Sequence, residues 1–287
     1  MTTGQTLVSA DWLAARCHEP DLRIVDTRFS LADTRAGRRA YDLAHLPGAV
    51  YLHLDQDLSG EINPSSGRHP LPDPQRFADR LGRAGIGDAH HVVIYDDAGG
   101  AIAARLWWML RWLGHERVAI LDGGYSAWIA AGHGVSSETV SPAPAVFTAE
   151  PRRDMLITVV DVIAGLSSGE LLLVDARESE RFRGEQEPID TVAGRVPGAI
   201  NFPFADNLGP DGRLLPGEEL SHRWARLLAG RPPERVACMC GSGVTACLNL
   251  LAMEVAGMAG GRLYAGSWSE WIRDSDRPVA TGGSSRA

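Results

Sequence analysis

The chain contains two copies of one sequence pattern, and this duplication limits its fold more than any other feature. RIVDTR (23–28) followed by AHLPGAVYL (44–52) returns as LLVDAR (172–177) followed by GRVPGAINF (194–202). Asp26 and Asp175 are 149 residues apart, and Pro47 and Pro197 are 150 apart. VVIYDDAGGAIAARL (92–106) aligns with VACMCGSGVTACLNL (236–250) at an offset of 144, and LDGGYSAW (121–128) with YAGSWSEW (264–271) at 143. Four matches in one order mean a duplicated domain of roughly 140 residues, within the usual domain range.

Within each copy, short β-rich runs alternate with helical segments. RIVDTR, HVVIYDD and VAILDGG read as strands in the first copy, and LLLVDAR, RVACMC and GRLYAG in the second. Asp73 and Pro74 open a helix as N-cap and first residue, with Phe77, Leu81 and Ala84 as its apolar stripe. Leu220, Trp224, Leu227 and Leu228 mark another. This alternation predicts α/β domains with largely parallel sheets. The Ser-, Thr- and Pro-rich segment HGVSSETVSPAPAVFTAEPRRD (133–154) reads as an extended linker. The expected boundaries are therefore 1–135 for the first domain, 136–153 for the linker and 154–280 for the second domain. TGGSSRA (281–287) reads as a disordered tail.

Chemistry concentrates in VACMCGSGVTACLNL. Val236 to Met239 is a buried strand; Gly241 and Gly243 flank Ser242 in a tight turn. From Val244 a helical stripe of Val244, Leu248 and Leu251 begins. Cys240 thus lies between a strand end and a helix N-terminus, where unpaired amides and the helix dipole favour an anion. The loop amides of Gly241, Gly243, Val244 and Thr245 are candidate ligand donors in such a nest. Thiolates are favoured at helix N-termini, so Cys240 is the candidate nucleophile. A cysteine at a strand end also serves as a small core residue, but packing alone requires no Gly-Ser-Gly turn. In the first copy Asp96 takes the position of Cys240, so that copy is expected to be inactive and supportive. The site is expected at a cleft between the copies.

Composition excludes several alternatives. The net charge of −8 does not suit a nucleic-acid surface. The N-terminal MTTGQTLVSADWLAARC has no basic start followed by an apolar core, so no signal peptide is expected, and no run is apolar enough to span a bilayer. Three of the four cysteines (Cys17, Cys238, Cys240, Cys247) fall within ten residues. That is not a disulfide framework, and a reducing cytosol is expected. Cys238 and Cys247 read as packing residues, and Cys238-Met239-Cys240 lacks the spacing of a zinc site.

The chain resembles two-domain rhodanese-type sulfurtransferases, the thiosulfate and 3-mercaptopyruvate sulfurtransferases. The resemblance covers nearly the whole chain. It rests on HLPGAVYL, YDD followed by WWMLRWLGH (107–115), LDGGYSAW, RFRG (181–184), VPGAINFPF (196–204), CGSGVTA and GSWSEW. It implies two tandem rhodanese-like domains, the first inactive and the second catalytic, and no cofactor or metal. It also implies a persulfide on Cys240, loaded by a small-molecule donor and discharged to cyanide or to a thiol such as thioredoxin or glutathione. Ping-pong kinetics would follow.

The resemblance further implies individual roles. Gly241-Ser242-Gly243 matches the mercaptopyruvate-preferring loop, whereas thiosulfate-preferring relatives carry basic residues there. Asp55 and His69 match a proposed Ser-His-Asp relay with Ser242, although the loop alone reads as solvated surface. Arg181 matches the arginine that binds the donor's anionic group, and Arg177 reads as structural. A second arginine is expected in the segment EQEPIDTVAG (185–194), where Ile189 stands instead; Arg195 is the candidate replacement, and thiosulfate remains the alternative donor. A cysteine phosphatase would need an arginine six residues beyond Cys240, where the chain has Ala246. A persulfide relay without turnover is the non-enzymatic alternative.

Overall fold

The computed structural model describes residues 5–283. The start of the N-terminal reading and residues 284–287 of the expected tail lie outside the described residues. The chain divides into two compact units. The first takes Met1–Gly60, Leu71–Arg152 and Pro210–Leu214; the second takes Glu61–Pro70, Arg153–Gly209 and Leu215–Ala287. A ten-residue piece of the first sequence copy is therefore built into the second unit.

The first unit runs β1 (Leu7–Val8), α1 (Ala10–Ala14), β2 (Leu22–Asp26), α2 (Ala36–Leu43), β3 (Val50–Tyr51), α3 (Pro74–Arg83), β4 (His91–Tyr95), α4 (Ala103–Trp112), β5 (Val118–Leu121) and α5 (Gly124–Ala130). Its sheet is wholly parallel in the order β1-β5-β4-β2-β3. Helices can cover both faces of such a sheet, so its strands are largely apolar. Val92, Val93, Ile94 and Tyr95 of β4 are all fully buried. The α3 start is local chemistry. The Asp73 carboxylate accepts the amides of Gln75 (3.1 Å) and Arg76 (3.0 Å), and Pro74 needs no partner there. Phe77 and Leu81 of its stripe are buried, each worth about 2 kcal/mol.

Residues 136–152 form no helix, and no strand beyond the single bridge of Ser136 to His45. The segment belongs to the first unit and runs along α3. Ala145 donates to the Gly82 carbonyl, and a side-chain carbon at Gly82 would stand 2.5 Å from the Ala145 carbonyl oxygen.

The second unit runs α6 (Val159–Ser167), β6 (Leu172–Asp175), α7 (Ser179–Arg183), β7 (Ile200–Asn201), α8 (Gly217–Leu228), β8 (Val236–Met239), α9 (Ala246–Val255), β9 (Arg262–Leu263) and α10 (Ser267–Trp271). Thr158 and Asp161 form a capping box at the start of α6. The sheet order is β7-β6-β8-β9, again parallel, and it repeats β3-β2-β4-β5 of the first unit. Its core gathers Leu173, Ala237, Met239, Tyr264 and Trp268. α9 begins at Ala246 rather than Val244. The carbonyls of Val244 and Thr245 instead close a tighter turn, taking the amides of Cys247 and Leu248. The described end of the tail is bonded, with Gly282 donating to the Arg183 carbonyl. Among the described residues no helix is long and apolar enough to cross a membrane.

Candidate active site

Cys240 is the first residue beyond β8, at the carboxyl end of a central strand, where parallel sheets place their ligands. Its amide donates to Ser267 Oγ (3.0 Å), and its carbonyl accepts from the Trp268 amide (3.0 Å). The Gly241 carbonyl accepts from the Ser269 amide (2.9 Å). The first turn of α10 thus holds two loop carbonyls. Gly243 makes the return possible. Its φ is +76°, and a side-chain carbon there would lie 2.3 Å from the Ala265 carbonyl oxygen. Among the described residues the amides of Gly241, Ser242, Val244 and Thr245 donate to no protein acceptor. Three of the four, Gly241, Val244 and Thr245, are among the candidate donors of the sequence reading; Ser242 is the fourth.

Cys240 is 2% exposed and Ser242 5%. Ser242 Oγ lies 2.7 Å from His69 Nδ1, across 173 positions of sequence. His69 reaches this position because Glu61–Pro70 belongs to the second unit. The Arg68 amide donates to Ser269 Oγ (2.9 Å), and Arg273 Nε donates to the Ser66 carbonyl (3.1 Å). Cys240, Ser242, His69 and the loop residues Gly241, Gly243, Val244 and Thr245 therefore belong to one unit. Asp55 belongs to the first unit, where its amide donates to His53 Nδ1 (3.1 Å).

Arg181, on α7, stands beside the same loop. A side-chain carbon at Gly241 would lie 3.6 Å from Arg181 Nη2 and 3.1 Å from Arg68 Nη2. Arg181 donates through Nε and Nη2 to Glu187, and through Nη2 to Asp190 Oδ2 (3.1 Å). Burial pushes the Glu187 carboxyl up, but its bonds from Arg181 and from the Asp190 amide outweigh this and hold it below the usual carboxylate range. Arg177 is buried and bound to Asp175 (2.8 Å) and to the Gly194 carbonyl, a structural pair that repeats Arg28 with Asp26. Arg195 donates to the Gly282 carbonyl and lies over the Phe182 ring. Ile189 is exposed. Burial pushes the Cys238 thiol far up, and Cys247 Sγ donates to the Gly243 carbonyl (3.4 Å), so both pack as expected.

Arg68, Glu187 and Asp190 were not legible as site residues. GRHPLP puts an arginine directly before the candidate histidine, and Glu187 and Asp190 are acids spaced three apart after Arg181. Those two facts are the only local signals, and neither indicates contact.

A sequence model of the rhodanese-like domain matches residues 9–131 and 158–274. A Pseudomonas aeruginosa protein named "Probable 3-mercaptopyruvate sulfurtransferase" is 50% identical over 284 residues, covering 98% of this chain and 100% of that one. The thiosulfate sulfurtransferase of Rattus norvegicus is 36% identical, covering 94% of this chain and 92% of that one. The structure of SseA from Escherichia coli, described as a 3-mercaptopyruvate sulfotransferase, superposes with a TM-score of 0.80 at 31% identity. The match covers 92% of this chain and 99% of that one.

Proposed function

The chain belongs to the rhodanese-like sulfurtransferases, and from that premise we propose that it moves a sulfane sulfur from 3-mercaptopyruvate, through a persulfide on Cys240, to an acceptor. The acceptor is a thiol such as thioredoxin or glutathione, or cyanide. The Cys240 thiolate attacks the donor sulfur, forming the S–S bond as the donor's C–S bond breaks. The electron pair leaves on carbon as the enolate of pyruvate, which takes a proton from Ser242. His69 returns a proton to Ser242 and is itself restored by the proton that the donor thiol gives up. The persulfide anion rests against the loop amides, and the acceptor thiol then takes the outer sulfur and returns Cys240.

The observation that carries this reading is the 2.7 Å contact of Ser242 Oγ with His69 Nδ1 on the Cys240 loop. A hydroxyl bonded to a histidine can pass a proton at neutral pH, which the enolate requires and thiosulfate does not. Four free cysteines suit a reducing, cytosolic setting. The test is kcat/KM for mercaptopyruvate and for thiosulfate with one acceptor thiol. Mercaptopyruvate should lead by at least about tenfold, a difference of about 1.4 kcal/mol. A thiosulfate lead would make the chain a thiosulfate sulfurtransferase.

A further inference from the structure

We propose that Arg68 and Arg181 together form the seat for the anionic end of the sulfur donor, and that Asp190 is its resident counter-ion until the donor displaces it. The proposal rests on the sulfurtransferase reading of Cys240.

Both guanidinium groups stand against Gly241, the residue after Cys240. One carboxylate bridges them, with Asp190 Oδ1 accepting from Arg68 Nη1 (2.5 Å) and Oδ2 from Arg181 Nη2 (3.1 Å). A carboxylate with one oxygen on each of two guanidiniums is the arrangement that a donor carboxylate would copy. Three further observations point to exchange rather than a permanent bridge. Arg68 Nε is buried and has no hydrogen-bond partner, so the side chain carries a donor that Asp190 leaves unused. Glu187 holds Arg181 through both Nε (3.1 Å) and Nη2 (2.8 Å), so that arginine keeps its position when Asp190 leaves Nη2. Asp190 itself sits in a stretch without helix or strand, residues 184–199, with Ile189 and Val192 exposed on either side.

Arg68 also accounts for the missing second arginine. Position 189 has no charge, and Arg195 is bonded to Gly282. The second guanidinium comes instead from Glu61–Pro70, from the residue before His69. One short segment thereby brings both a proton-relay group and an anion-binding group to the Cys240 loop.

The test is calorimetric titration with pyruvate, which has the donor's carboxylate and carbonyl but no transferable sulfur. The intact chain should bind it. Arg68→Ala should weaken binding by about tenfold or more, the size of one charge-assisted hydrogen bond. Arg68→Lys, which keeps the charge and is the safer variant for folding, should fall between. Asp190→Asn should tighten binding several-fold, and Arg68→Ala in that background should remove most of the gain. Should Arg68→Ala and Arg68→Lys both bind pyruvate within about twofold of the unaltered chain, or Asp190→Asn bind it more weakly, the proposal fails. No binding by the unaltered chain also overturns it. Sulfur loading of the unaltered chain from either donor judges the sulfurtransferase reading separately from the anion seat.

Discussion

The loops after β4 and β8 begin as copies of one another and end with opposite contents. In the first unit the buried Asp96 carboxylate folds back into its own loop. Oδ1 accepts the amides of Ala98 (2.9 Å) and Gly100 (2.8 Å), and Oδ2 those of Ile102 and Ala103 (both 2.8 Å). In the second unit Cys240 occupies that position, and amides at Ser242 and Val244, the counterparts of Ala98 and Gly100, donate to no protein acceptor among the described residues. The backbone shape is an anion cradle in both. One copy fills it permanently with its own carboxylate and gains stability. The other has a thiol in its place and leaves amides open, which suits the persulfide anion proposed above. One side chain decides which, so a duplicated domain can be kept as scaffold on one side and chemistry on the other.

The largest expected effect is on the side with the open cradle. Cys240→Ser should reduce transfer from either donor by at least about a thousandfold, roughly 4 kcal/mol, because an alkoxide is far harder to form than a thiolate. Near-normal turnover would place the nucleophile elsewhere. Next, Asp96→Ala should destabilise the chain by about 3 kcal/mol in urea unfolding, since four amides lose a charged acceptor. Added sulfate should recover part of that loss in the variant and little in the unaltered chain. A loss under about 0.5 kcal/mol would mean that the carboxylate does not hold the loop. Smaller again, Ser242→Ala should lower kcat with mercaptopyruvate by about 10- to 100-fold and with thiosulfate by less, because only the first donor needs a proton delivered to carbon. Equal losses would remove the relay. The smallest difference is between the two Asp96 variants: Asp96→Asn should be about 1 kcal/mol less destabilised than Asp96→Ala, because its one oxygen still accepts two of the four amides while its Nδ2 can accept none.

What the sequence made legible was local. β2, β4, β6 and β8 follow from short β-branched runs, and the Asp73–Pro74 start of α3 from two adjacent residues. The loop around Cys240 follows from two glycines and an apolar run. Long-range packing was not legible. Nothing in GRHPLP reveals that this segment belongs to the second unit, so only the resemblance implies the Ser242–His69 pairing and nothing local implies Arg68. The acids of the 185–194 segment carry no local mark of their contact with Arg181, which depends on how the loop folds back on α7. α9 starts two residues later than its stripe predicts, because Val244 carries the stripe but sits in the turn that precedes the helix. Periodicity records which face is buried, not where helical bonding begins.

The most direct test of the account is the mass of the Cys240 peptide after brief exposure to mercaptopyruvate under non-reducing conditions. A gain of one sulfur atom on that peptide alone, discharged by cyanide or a thiol and absent in Cys240→Ser, is the predicted result. An unchanged mass, or the extra sulfur on Cys17, Cys238 or Cys247, would contradict it.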